Sequence, residues 1–339
     1  MRSFHAQERL LKRAYYGVLC ASRHDERQLR RHGRADRVLV LNLHSVDPSP
    51  NPFWPALHPR LFAGLLEWLR GRCTVTLPST LGEVARTDAM RPLVVLSFDD
   101  GYRDFVEHAM PILDRFGLKA NQNVIGQSVE SGRPPQIVQF SDFLNAAPTS
   151  LLRELRVPRF DSRPVSDDPL DKERFGASIM THLKQMPPAA REPVWDELQG
   201  PMSKVEIERP TRMMSSEDVA AAAAAGHEIG SHSYSHESME FVDDDDFVED
   251  FERCRRVLAE VNCDATVYAF PNGSYRQHQI ELLRDLGVLH MLLVGERPSR
   301  PDTSVHTRLT LRGHSVPELR VRAAGAPIPR ASGGGRPIE

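Results

Sequence analysis

Cysteine is scarce in this chain. Cys20, Cys73, Cys254 and Cys263 are the only four in 339 residues, and no two stand in a C-x-x-C spacing. That excludes a disulfide framework and a thiolate zinc knuckle, and it points to a reducing compartment. No run approaches the ~20 apolar residues that a membrane-spanning helix needs. The opening Met1-Arg2-Ser3-Phe4-His5-Ala6-Gln7-Glu8-Arg9 has no uninterrupted apolar core behind its basic residues. No secretory signal is read there, and a cytoplasmic location is expected. Charge of one sign is lacking too: 43 Lys and Arg stand against 46 Asp and Glu, a net charge of −3, which leaves no footprint for nucleic acid. What is present is a 40% hydrophobic content, enough for one large core or for one core with a sizeable insertion.

The most informative stretch is Leu93-Val94-Val95-Leu96-Ser97-Phe98-Asp99-Asp100-Gly101. A short apolar run bounded by a turn signal reads as a buried strand, and it delivers two carboxylates to the strand's C-terminal end, where α/β enzymes do their chemistry. An ordinary Asp-Gly turn fits the same residues. A second strand-like segment, Gly226-His227-Glu228-Ile229-Gly230-Ser231, runs into His232-Ser233-Tyr234-Ser235-His236. Two histidines four apart can grip one cation, and Asp100 can complete a two-His, one-carboxylate set with a position left open for water. The plain alternative is a pair of surface imidazoles in a serine-rich loop.

Taken together and in this order, Ser-Phe-Asp-Asp-Gly and His-Ser-x-x-His resemble the polysaccharide deacetylase family of metal-dependent carbohydrate esterases. The surroundings agree: Leu118-Lys119-Ala120 opens the next strand, and Ala269-Phe270-Pro271-Asn272-Gly273 stands where the family has a Pro-Tyr-Gly turn. The resemblance spans Val38 to Leu319. It implies a distorted, incomplete (β/α) barrel of the deacetylase type, with a largely helical insertion. The implied metal ligands are Asp100, His232 and His236, with zinc as the expected divalent ion. Asp99 is implied as the base and the backbone N–H of Asn272 as the oxyanion donor.

Two positions depart from the family pattern. The strand Arg37-Val38-Leu39-Val40-Leu41-Asn42-Leu43-His44 looks like the opening strand of the circularly permuted deacetylases that process poly-N-acetylglucosamine, so His44 is favoured as the general acid over His314 in Leu311-Arg312-Gly313-His314. Ala269 occupies the place of the arginine that usually orients the base, and Arg308 is the candidate substitute. The implied activity is hydrolysis of an N-acetyl group from an amino sugar that is free, nucleotide-linked, lipid-linked or oligomeric. The alternatives are hydrolysis of another non-peptide C–N bond such as a formamide, and a catalytically silent carbohydrate-binding protein.

The rest of the chain is organised around this barrel, expected over 38–322. Residues 1–37 carry ten Lys or Arg against four Asp or Glu, with Leu11, Tyr15, Val18 and Leu19 at helical spacing. This basic arm either rests on anionic lipid, a peripheral membrane contact, or packs across the barrel. Asn121-Gln122-Asn123 replaces the family's aromatic strand. Three amides there either line a polar pocket or mark a frayed strand. Residues 127–210 read as an insertion, a lid or specificity subdomain, with helical patches at 140–155 and 175–186. Asp243 to Asp246 is read as a helix start rather than a metal site. Residues 323–339 read as a disordered tail.

Overall fold

The computed structural model describes residues 2–34, 36–49, 51–53, 56–87, 91–158, 160 and 165–325, with the backbone alone over 2–9. Among them the chain forms eight strands: β1 (Val38–Leu43), β2 (Thr74–Thr76), β3 (Leu93–Phe98), β4 (Asn121–Val124), β5 (Glu228–Ser231), β6 (Val267–Ala269), β7 (His290–Val294) and β8 (Val305–Thr310). The helices in chain order are α1 (Arg2–Ala21), α2 (His24–Arg34), α3 (Pro59–Arg70), α4 (Leu81–Thr87), α5 (Met110–Phe116), α6 (Gly126–Ser131), α7 (Gln136–Ala146), α8 (Thr149–Glu154), α9 (Pro169–Lys184), α10 (Pro188–Met202), α11 (Ser216–Ala224), α12 (Asp244–Glu260), α13 (Gln277–Asp285) and α14 (Val316–Ala323).

All strand pairings are parallel. β3 through β8 follow one another in sequence order, and β1 pairs with both β8 and β3, closing a seven-stranded (β/α) barrel. β2 stays outside the ring. It takes the N-terminal half of one β3 edge, while β4 takes the C-terminal half of the same edge. The opening strand of the chain therefore fills the gap between the last strand and β3, as the permuted arrangement requires.

Alternation along each strand sorts the barrel into layers. Leu39, Leu41, Val94, Leu96 and Phe98 point outward and join the main core under the helices. Val38, Val40, Leu93 and Val95 point inward with Leu81 and fill the bottom of the barrel. Further along the same inward rows come Asn42, Ser97, Asn121 and Asn123, all buried. The interior is thus apolar at the N-terminal end of the strands and polar at the C-terminal end.

Local chemistry explains most boundaries. Gly117 ends α5 at φ 65, and a capping box between Ser215 and Asp218 opens α11. The acidic run opens α12, with the Asp243 carboxylate accepting from the N–H of Asp246 at 2.9 Å. The helical segment after the acid pair begins as a π-turn at Phe105–Ala109 and continues as α5. Pro111 lacks the N–H that a continuous α-helix would need there, so the preceding turn widens.

Helices α7 to α10 build a core of their own around Phe140, Phe143, Phe175, Ile179, Leu183 and Trp195. Helix α10, with Pro193 and Pro201 inside it, is not evident from the sequence. At the other end, Ala323 and Ala324 are buried against the main core, so the expected tail begins with packed residues; 326–339 lie outside the described residues.

Candidate active site

Strand register gathers the site. Leu43 pairs with Phe98, so His44 and Asp99 leave the barrel side by side, and the Asp99 N–H donates to the Leu43 carbonyl at 3.0 Å. Ser97 pairs with Asn121, which carries Asn123 up beside Asp99. β5 ends at Ser231, and the His232 N–H donates to the Val124 carbonyl at 2.9 Å. Arg308 lies opposite Val40 of β1 and Val294 of β7, so its side chain enters the barrel interior.

Asp100, His232 and His236 bring one donor atom each within 4.8 Å of one another, and all three residues are buried. The Asp100 Oδ1 lies 3.4 Å from His232 Nε2 and 3.3 Å from His236 Nε2. Nδ1 of His232 is hydrogen-bonded to the Ala269 carbonyl at 2.8 Å, which fixes the ring and leaves Nε2 for the site. The turn that presents His236 is held by its N–H donating to Ser233 Oγ at 2.8 Å. The Asp250 carboxylate pins the same turn, accepting from the N–H groups of Tyr234 at 2.7 Å and Ser235 at 2.9 Å.

Asp100, Ser233 and His236 all have left-handed backbones, at φ 75, 63 and 59. Such conformations cost about 1–3 kcal/mol each in non-glycine residues and persist where the surroundings dictate them. The second carboxylate oxygen of Asp100 is buried without a protein partner. An orphaned acceptor beside two imidazoles suits a divalent ion of zinc's borderline softness. Burial opposes ionisation of Asp100, yet hydrogen bonds from the two imidazoles hold its pKa well below the usual carboxylate range. Burial also disfavours charge on both rings; the neighbouring Asp99 and Asp100 carboxylates nevertheless raise His232, whereas His236 is lowered.

Asp99 sits on the other side of Asp100, clamped by two donors. Arg308 Nη1 donates to its Oδ1 at 2.6 Å and Asn123 Nδ2 donates to the same oxygen at 2.8 Å. Burial alone would raise this carboxyl, but the charge of the fully buried Arg308, joined by that of His232 and by the Arg308 hydrogen bond, holds the pKa down at about 2. Asn123 is a residue whose role the sequence left open. It also donates to Ser97 Oγ at 3.2 Å and takes a hydrogen bond from Asn121 at 3.0 Å, so two of the three amides form a buried network rather than a frayed strand. A side chain at Gly230 would collide with the Asn123 amide, so the glycine makes room for it.

Asp99, Asp100, His232, His236 and Arg308 line a cleft together with Asn42, His44, Asn272 and Thr310. His44 is in the cleft, whereas His314 is exposed and does not line it. Burial lowers the His44 pKa, against the pull of Asp100 and Asp99, so its protonated form is the minority at neutral pH. Asn272 adopts φ 55 in the turn after Phe270, and its side-chain amide donates to Ser238 Oγ at 3.2 Å. One lining residue comes from the 127–210 segment and has no local sequence signal: Lys184, the last residue of α9.

The family model for polysaccharide deacetylase matches residues 86–156 and 199–290, on either side of α9 and α10. The chain belongs to the polysaccharide deacetylase family. A curated relative, YxkH of Bacillus subtilis (strain 168), provisionally named a polysaccharide deacetylase, is 28% identical over 96 residues. That match covers 27% of this chain and 33% of the relative, so the chain spans only about a third of the length of that family member. Among solved structures, the deacetylase PplD of Streptococcus pyogenes, determined with acetate, matches at a TM-score of 0.56 and 15% identity, over 85% of this chain and 98% of that one. IcaB of Ammonifex degensii matches at 0.54 and 18%, over 85% and 97%. At these identities the structural matches establish that the fold is shared.

Proposed function

We propose that the chain hydrolyses the N-acetyl group of an amino sugar, releasing acetate and a free amine, with a divalent metal, zinc by preference, held by Asp100, His232 and His236. The observation that carries this reading is a buried carboxylate, Asp99, clamped by Arg308 and Asn123 beside that donor set. A protein that only bound sugar would have no use for a buried base kept charged. The metal, when bound, would polarise the acetamide carbonyl and acidify water.

Asp99 accepts the proton of the attacking water, and the backbone N–H of Asn272 faces the developing oxyanion. His44 in its protonated form gives the amine the proton it needs to depart. Arg308 keeps Asp99 charged and oriented. Four unbridged thiols suit a reducing compartment, which favours a cytoplasmic location.

The test is acetate release from N-acetylated amino sugars by the full chain. Turnover is expected to vanish with a chelator, to return with zinc, and to fall by at least about a thousandfold in Asp99→Asn. A bound metal with no acetate released from any acylated sugar would reject the hydrolase in favour of a binding protein.

A further inference from the structure

We propose that α1 is a membrane-surface helix whose outward apolar face enters the interface of an anionic lipid bilayer. One side of α1 is committed to the protein: Tyr16 packs on Val321 of α14 with Leu19 and Cys20 alongside, and the Cys20 thiol reaches the Pro317 carbonyl at 3.5 Å. The opposite side is apolar and faces solvent. Leu10 is 64% exposed, Leu11 70%, Tyr15 44% and Val18 67%, and these are four of the six large hydrophobic residues that stand exposed among the described residues. At about 100° per residue, Leu10, Ala14, Val18, Leu11 and Tyr15 fall in one continuous arc, with exposed Lys12 and Arg13 each about 60° beyond one end of it. An apolar arc bordered by cations is the pattern of a helix lying in the headgroup plane, its basic stems reaching up to the phosphates.

Charge selects the occupant. Residues 1–37 carry ten basic side chains against four acidic ones, although the whole chain is slightly acidic. Arg23, Arg27, Arg30, Arg31 and Arg34, in and just before α2, are exposed beyond the end of α1. A second copy docked through the arc would bring the same excess of basic side chains toward this one, a like-charge approach. An anionic lipid surface instead meets them with the opposite charge. No helix among the described residues is long and apolar enough to cross a membrane, so the contact is peripheral.

The test uses the full chain and sedimentation with phosphatidylcholine vesicles, with and without phosphatidylglycerol. Binding is expected to the anionic vesicles, to weaken as salt is raised, and to fall by at least about tenfold in the double variant Leu11→Glu/Val18→Glu. Both residues are solvent-facing, so this variant should keep the parental thermal midpoint and circular dichroism, which separates lost binding from lost folding. Lys12→Glu should weaken binding to anionic vesicles alone. Three results would overturn the proposal: no binding to either vesicle, equal binding to both, or a lipid-free dimer that Leu11→Glu/Val18→Glu dissociates. Hydrolase activity on a soluble sugar is not a readout here, so failure of the hydrolase reading leaves this test intact.

Discussion

Asp99 is 2% exposed, and a carboxyl so buried ordinarily takes up a proton. It stays ionised because Arg308 and Asn123 both donate to Oδ1, and hydrogen bonds to charged groups are worth about 1.5–3 kcal/mol each. The sign of a perturbation follows. Removing either donor destabilises the carboxylate, raises the Asp99 pKa from about 2, and moves the acid limb of the kcat/KM profile to higher pH. Asn123→Ala is the milder probe because it removes no charge from the interior. Its acid limb should rise, with kcat near neutrality lowered about tenfold or more through lost orientation. Arg308→Met should shift the limb further and also destabilise the fold by about 3–5 kcal/mol, since it strands a buried charge. A pH–rate profile unmoved in Asn123→Ala would show that Asp99 is not the titrating base.

Elements, rather than residues, decide which of these groups meet. The acid pair and the two histidines were legible because each follows directly on a short strand-like segment, and parallel strands deliver such ends to one rim. Asn123 was not legible as a partner of Asp99. Its role depends on the β3–β4 register and on the space left by Gly230, neither of which is a local property. The 127–210 segment stood out in composition, but α10 was concealed by its prolines, which the surrounding packing of Trp195 and Leu198 overrides. Lys184 had no signal at all, because only the docking of α9 brings it to the cleft. That docking is held at the end of α9, where the Ser238 hydroxyl donates to the Lys184 carbonyl at 3.5 Å and Arg191, which donates to the Leu183 carbonyl at 3.4 Å, pairs with Glu237 next to His236. Lys184 lines the cleft from the end of α9, and its charge adds to the burial that lowers the His236 pKa. Lys184→Met is therefore expected to raise KM about three- to tenfold with kcat little changed, read by steady-state kinetics. An effect on kcat alone would place the lysine in the chemistry instead.

Closing the barrel as a whole buries imidazoles that take no part in the site, and this ties the stability of the molecule to pH. His306 on β8 and His290 on β7 meet across the strand pair with rings 5.6 Å apart and Nδ1 of His290 3.4 Å from Nε2 of His306. Burial, and secondarily the adjacent His290, depress the His306 pKa from its ordinary 6.5 to about 4. His227, between α11 and β5, is depressed to about 4 by burial as well. A histidine held neutral in the folded state binds fewer protons than its unfolded counterpart between these two values. Its contribution is therefore whole above pH 6.5 and is lost progressively as pH falls toward 4. For His306 the shift corresponds to a loss on the order of 3 kcal/mol at the acid end. The thermal midpoint should fall steadily across that window at constant ionic strength, well above the pH at which Asp99 would protonate. His306→Phe removes the titration while keeping a ring beside His290, so its midpoint should fall less steeply with acid, whatever its value near neutrality. An identical slope in parent and variant would mean that carboxylates, not the imidazole inside the ring of strands, set the acid limit.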